Sequence, residues 1–371
     1  MKKIYADFNA TAPVKESVRD SFPEWVSEFY GNPSSLHQPG QASKHVLELA
    51  RSTVANALGA KASEIIFTSG GTESDVLGLY GLAKQYQFKI TKVLVSAIEH
   101  SAVLGQEELI KSLGLEFFEI PVLASGVVDL NALESLVGQQ PVLVSVMLAN
   151  NETGVVQPIK SIVEIVKRFA GFVHCDAVQA FGKISLVVQD LGVDTLSISG
   201  HKIGALRGIG ALYVKKGLRV KSLFGKGSHE KEMRPGTENL PGILSLAKSC
   251  ETTTDWSFLQ KNILKFEENI LNKFDVKIAG REVLRLPNTV SAIFKNNNQD
   301  ILLAGLDLKG IAASAGSACK ASLSMPSHVL LAMGYDRQNL KGVVRFSFGT
   351  EASNSDLSYI VDSLEKILKK I

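Results

Sequence analysis

Five short apolar stretches of this sequence each stop on residues able to do chemistry. EIIFTS runs into Gly70-Gly71-Thr72-Glu73, KVLVSA into Glu99-His100, and VLVSVML into Asn150-Asn151-Glu152-Thr153-Gly154. GFVHC ends on Asp176 with Gln179 following, and DTLSIS ends on His201-Lys202. Lys202 is the most telling of these residues. An amine at the mouth of a buried pocket is partly desolvated, which lowers its pKa. It can then form a Schiff base with an aldehyde and shuttle protons afterwards. A plain surface lysine at a strand end is the competing reading; the neighbours Ser197, Ser199, His201 and flanking glycines favour the reactive one.

The other strand ends also admit two readings each. SGGTES is either a phosphate cradle, with glycine backbone and the Thr72 hydroxyl at a helix start, or a tight turn capped through the Thr72-x-x-Asp75 spacing. It lacks the Gly-Lys-Ser/Thr ending of a nucleotide P-loop. Asp176 is either a helix cap or the carboxylate that holds the protonated ring nitrogen of pyridoxal phosphate (PLP), which serves as an electron sink. Gln179 is spaced to face the same ring. His100 is either a turn histidine or an aromatic lid and proton shuttle near neutral pH. Cys319 sits in GIAASAGSACKASLSMPSHVL, among residues too small to pack firmly. Such a stretch is a natural carrier for a nucleophile that must travel, and Lys320 beside it favours the thiolate. A small cysteine buried at a strand edge is the alternative. Cys175 alternates with Asp176 and is expected to point into the core. Cys250 ends an apolar helix and reads as structural, and neither has metal-ligand spacing to a second Cys or His. No metal is expected.

Alternating strands and helices must position these residues. Residues 41–58 place Val46, Leu49, Ala50, Val54, Ala57 and Leu58 on one helical stripe, and IKSIVEIVKRF does the same with Ile159, Ile162, Val163 and Val166. The apolar runs between such helices are apolar throughout, as in a mainly parallel sheet covered on both faces. The chain is therefore α/β with right-handed crossovers, and ligands of such sheets bind beyond the strands' carboxyl ends. After about residue 250 the texture changes to a smaller α+β unit: FLQKNILKFEENIL is helical, PNTVSAIF and VVRFSFG alternate like strands, and SDLSYIVDSLEKILKKI is a closing helix.

With 371 residues, 45% of them hydrophobic, the chain can bury a large core. Its 40 Lys+Arg against 37 Asp+Glu give a net charge of only +3, which leaves no footprint for nucleic acid. No run reaches the ~18 apolar residues of a membrane span, and MKKIYADFNATAPV does not read as a signal peptide. Three sparse cysteines suit a reducing compartment, so cytoplasm is expected.

In order along the chain, YADFNATAP, GNPSSLH, FTSGGTES, IEHSAV, NNETGVVQPI, HCDAVQAFGK, SGHK, RPGTEN, AGSAC, PSHVL and VRFSFG resemble the motifs of cysteine desulfurases. These are class V, fold-type I PLP enzymes, and the type resembled is the nitrogen-fixation and iron–sulfur housekeeping branch. The resemblance implies a large PLP-binding domain over residues 13–250. Residues 1–12 and 251–371 would form a small domain carrying the cysteine loop. It implies Lys202 as the Schiff-base lysine, Asp176 on the pyridinium nitrogen, Gln179 on the phenolic oxygen and His100 stacked on the ring. The phosphate falls to Gly71, Thr72, Ser199 and His201. Thr237 of RPGTEN reaches the phosphate of the other subunit's cofactor, which implies a homodimer. Asn151 and Arg345 grip the carboxylate of L-cysteine, and Cys319 accepts the sulfur as a persulfide. An acceptor such as an iron–sulfur scaffold or a thiolation enzyme then collects it. A selenocysteine lyase or class V aminotransferase shares most of these features, and a non-catalytic sulfur-transfer scaffold would have lost Lys202, Asp176 or Cys319. The chain departs from the commoner pattern at IGALRG after Lys202, at Lys320 and at Met325.

Overall fold

Twelve strands appear among the residues that the computed structural model describes, which are 2–251, 254–316 and 326–369. In chain order they are β1 Ile4–Tyr5, β2 Ile65–Thr68, β3 Lys92–Ser96, β4 Glu116–Ile120, β5 Leu143–Ser145 and β6 Phe172–Asp176. They continue with β7 Thr195–Ser199, β8 Gly210–Val214, β9 Val276–Ile278, β10 Thr289–Phe294, β11 Ile311–Ala312 and β12 Val343–Ser347. The large sheet has the order β2-β8-β7-β6-β5-β3-β4. Strands β7, β6, β5, β3 and β4 pair in parallel, whereas β8 is antiparallel to both its neighbours. Because β2 and β7 each oppose β8, they run in the same direction. The carboxyl ends of β2, β3, β5, β6 and β7 therefore all open on one edge of the sheet.

The expected covering on both faces is present. One face buries Ile66, Val93, Val95, Leu143 and Leu212 against Leu77, Leu79 and Leu82 of the helix Gly71–Tyr86. The other buries Phe67, Leu94, Val144, Val173 and Leu196 beneath the helices Gln38–Ala57, Ile159–Lys167 and Leu240–Cys250. Continuous apolar strands follow from this, since neither face meets water. Cys175 is fully buried in this core, as its alternation with Asp176 requires. The edge strand β4, EFFEI, was not singled out in the sequence because three of its five residues are exposed.

A three-stranded antiparallel sheet, β12-β10-β9, packs with the helices Ser257–Lys273, Gln299–Asp307 and Asn354–Leu368 around Phe266, Phe294, Phe346 and Leu364. Ile4 and Ala6 join the same cluster, and β1 pairs in parallel with β11.

The helix Gln38–Ala57 departs from the expected stripe. Leu49 is 55% exposed, and Leu47 and Arg51 are buried in its place. At 100° per residue Leu49 faces away from Leu47, Ala50 and Val54. Arg51 tolerates burial because it meets Glu230 through two 2.7 Å hydrogen bonds. Glu230 also accepts from the Phe67 backbone N–H at 2.7 Å, and the guanidinium lies 4.7 Å from the Phe67 ring centroid. Removing one charge of such a pair strands the other in the interior. Glu230→Gln is expected to lower unfolding free energy by about 3 kcal/mol, read as an earlier midpoint in urea; an unchanged midpoint would show that the pair contributes nothing.

Candidate active site

Beyond those five strand ends lies a cavity of about 320 Å³. Ten of the residues singled out in the sequence line it: Gly71, Thr72, His100, Asn151, Asp176, Gln179, Ser199, His201, Lys202 and Arg345. Two do not belong to this group. Thr237 is exposed and does not line the cavity, and Cys319 lies outside the described residues.

Lys202 closes a single 3₁₀ turn, Gly200–Lys202, immediately after β7. Its Nζ donates to the backbone carbonyls of Asn9 at 2.5 Å and Ala10 at 2.9 Å. These hydrogen bonds hold the amine at the cavity wall. Asp176 ends β6 and is buried, with Oδ1 accepting from the Val178 N–H at 2.8 Å. Burial pushes its pKa up to about 7 and the nearby Asp75 adds to the rise, while the Val178 N–H, His100 and His174 pull against it. Asp75 itself is raised to about 7 by burial.

The glycine turn has the geometry of a cradle. Gly70 is the residue before the 16-residue helix Gly71–Tyr86, so no side chain caps its first N–H groups, and the Thr72-x-x-Asp75 capping does not form. A Cβ on Gly71 would stand 2.9 Å from Val178 Cγ2 and 3.4 Å from Ser199 Cβ. Only glycine lets the backbone come this close to the strand ends. Free N–H groups and the helix dipole favour an anion here, beside the Thr72 and Ser199 hydroxyls. Glu73 in the first turn is paired with Arg234 at 2.9 Å, which ties RPGTEN to the cradle.

His100 and His201 are both biased towards the neutral ring. His100 accepts from the Ala102 N–H through Nδ1 at 3.1 Å, which leaves the proton of the neutral form on Nε2. Burial lowers its pKa, with Asp176 opposing and Lys202 and His328 assisting. For His201, burial, then Lys202 and Arg207, bring the value down to about 4. Its Nδ1 is 3.2 Å from the Thr11 hydroxyl.

Arg345, on β12, is only 1% exposed. Its Nη1 donates to the carbonyls of Asn151 and Gly316, both at 3.0 Å, and its Nη2 to Asp7 at 2.6 Å. A carboxylate reaching this guanidinium meets a fork already oriented from three sides.

Several residues of the site escaped sequence reasoning. Asn9 is buried beneath Lys202, and Lys183 is buried beside Gln179. His328 lines the cavity and donates through Nε2 to the Glu99 carbonyl at 2.9 Å. Glu152 lines it too and accepts from the Ser327 hydroxyl at 2.5 Å. Asn9, Lys183 and His328 lie within quoted motifs, but nothing in their own spacing marks them, whereas Glu152 stands among the strand-end residues that the sequence offered.

The residues present fit PLP. The cradle suits a phosphate monoester and Lys202 suits its aldehyde. Asp176 is a buried carboxyl facing a cavity, and a ring N–H is the partner that such a group needs. Among the described residues no group of three or more His, Cys, Asp or Glu could hold a metal ion.

Parallel sheet, glycine cradle and strand-end lysine are the marks of a PLP enzyme, and residues 4–360 match the family model described as aminotransferase class-V. Within that class the chain belongs to the cysteine desulfurase family. It is 38% identical to a cysteine desulfurase IscS of Methanosarcina thermophila over 100% of this chain and 93% of that protein. A cysteine desulfurase IscS of Dictyoglomus turgidum is 37% identical, over 100% and 95%. A solved NifS-like protein superposes with a TM-score of 0.93 at 34% identity, covering all of both chains. A second, SspA in complex with cysteine, gives 0.84 at 31% identity over 93% of this chain and 99% of that one. The family's members are PLP-dependent enzymes, and the fold is that of fold-type I. No helix among the described residues is long and apolar enough to cross a membrane.

Proposed function

We propose that the protein converts L-cysteine to L-alanine and passes the sulfur to Cys319 as a persulfide. The observation that carries this reading is the convergence of Lys202, Asp176 and the Gly71 cradle on one cavity. Relatives named cysteine desulfurase and a similar structure in complex with cysteine support L-cysteine as the substrate.

PLP, when bound, supplies an aldehyde for the substrate amine and a ring that stores electrons. The chain does the rest. Gly71, Thr72, Ser199 and His201 would hold the phosphate, and Asp176 would keep a proton on the ring nitrogen. Gln179 would donate to the phenolic oxygen, and His100 would lie beside the ring. Asn151 and Arg345 orient the substrate carboxylate. The Lys202 amine removes the α-proton. The Cys319 thiolate then attacks the substrate sulfur, so that an S–S bond forms and the Cβ–S bond breaks. That bond's electron pair stays with the carbon, which takes up a proton; a proton is also returned to Cα, and the product leaves as alanine.

We further propose that the chain divides into residues 13–250 and residues 1–12 with 251–371. It works as a cytoplasmic homodimer in which Thr237 serves the partner's cofactor. An iron–sulfur scaffold or thiolation enzyme takes the persulfide sulfur. The exposure of Thr237 supports its reaching outward.

The test is alanine release from L-cysteine by PLP-loaded protein with a thiol reductant, comparing wild type with Cys319→Ala. Alanine from the wild type and a loss of about 10²-fold or more in the variant are expected. A yellow, PLP-loaded wild type that makes no alanine overturns the reading.

A further inference from the structure

Lys183 is 5% exposed and has no part in the chemistry above. Its Nζ donates to Gln179 Oε1 and to Asn9 Oδ1, each at 2.9 Å. Gln179 Nε2 donates in turn to the Asn9 carbonyl at 2.9 Å, the same carbonyl that accepts from Lys202. A lysine can only donate and a carbonyl can only accept. The two neighbours therefore dictate one orientation of the Gln179 amide: oxygen towards Lys183, nitrogen towards Asn9. One N–H of Gln179 is then left for an acceptor in the cavity.

Asn9 makes this arrangement rigid. Its Nδ2 donates to Asn151 O at 3.1 Å and to the Thr289 hydroxyl at 2.9 Å, and its N–H donates to the Ser347 hydroxyl at 2.9 Å. Asn288 Nδ2 donates to Asn9 Oδ1 at 3.3 Å. The floor of the cavity is thus fastened to the ends of β10 and β12. Burial, then Lys202 and Arg345, pull the Lys183 pKa well below the ordinary lysine range, and the Asn9 carbonyl, which can only accept, fixes the Gln179 nitrogen whatever the charge of that amine.

We propose that Lys183 is a positioning residue that, together with Asn9, locks the Gln179 amide with an N–H presented to the phenolic oxygen of PLP. The proposal rests on the PLP reading of the cavity. A donor held on that oxygen favours its anionic form and so lowers the pKa of the adjoining Schiff base. An amide free to turn offers its oxygen part of the time and loses this effect.

The experiment is a pH titration of the cofactor's absorbance in PLP-loaded wild type, Lys183→Met, Gln179→Ala and the double variant. Lys183→Met is expected to raise the apparent pKa by about half a unit or more, and to add nothing in the Gln179→Ala background. An unshifted Lys183→Met overturns the proposal. So does an equal shift in both backgrounds, which would mean that Lys183 acts without Gln179. If Lys183→Met does not fold, Lys183→Gln, which keeps an N–H donor, is titrated instead. A wild-type profile supports the proposal, and a shift as large as that of Gln179→Ala overturns it. A wild type that shows no Schiff-base absorbance rejects the PLP reading itself, and the proposal with it.

Discussion

Lys202→Ala, loaded with PLP, is expected to lose alanine formation by about 10³- to 10⁴-fold. On the proposed mechanism, the variant removes the amine that would anchor the cofactor covalently and the base that would take the α-proton. Two observations separate these losses from a folding defect. The Nζ of Lys202 donates to the Asn9 and Ala10 carbonyls, and at the wall of an open cavity water can replace such a donor. Stability is therefore expected to fall by only about 1 kcal/mol. Borohydride reduction of the wild type should fix the cofactor on the peptide that contains Lys202, and in the variant on no peptide. A variant that makes alanine at the wild-type rate would remove Lys202 from the mechanism.

Asp176→Asn is the second large effect, with opposite signs for catalysis and for the apoprotein. On the proposed mechanism, the neutral amide would no longer hold a proton on the ring nitrogen in the loaded enzyme. Turnover is expected to fall by about 10²- to 10³-fold, the scale of a lost electrostatic partner at a reacting group. In the apoprotein Asp176 is strained by burial, with a pKa near 7 against an ordinary value of 3.8. The native state therefore holds this proton more tightly than the unfolded chain. The contribution is complete below about pH 4 and is lost as the pH rises through 7. Asp176→Asn removes that loss, so the apo variant should melt above wild type at pH 8 by about 2–4 °C and gain less at pH 5. His174 and His201, whose values are lowered to about 4, slope the other way but remain in both proteins. Equal melting differences at the two pH values would show that the buried carboxyl carries no such penalty.

Much of this was legible in the sequence because parallel strands deliver their functional residues at one end. Apolar runs marked β2, β3, β5, β6 and β7, and residues following each of them now line one cavity. What stayed hidden depends on partners distant in sequence. Arg51 reads as an exposed helical arginine until Glu230 arrives beside it. Lys183 carries no signal of its own in the sequence, because its partner Asn9 lies far up the chain. The β4 strand failed for another reason: on a sheet edge, exposed Glu116, Phe118 and Glu119 leave it without a continuous apolar run.

The antiparallel strand β8 also sets an order of events for the growing chain. Among the described residues, the strand β2 that leads into the glycine turn pairs only with β8, Ile65 standing opposite Tyr213. A newly made β2 therefore waits through the synthesis of every other strand of its sheet before it can be seated. β1 waits longer still, since its partner is β11, Ile4 standing opposite Ile311. Pairings so far apart in sequence close slowly, after the local βα units have formed. The cavity, with Asn9 as its floor, is thus among the last parts of the molecule to form, and a ribosome-bound fragment ending before β8 has no such cavity.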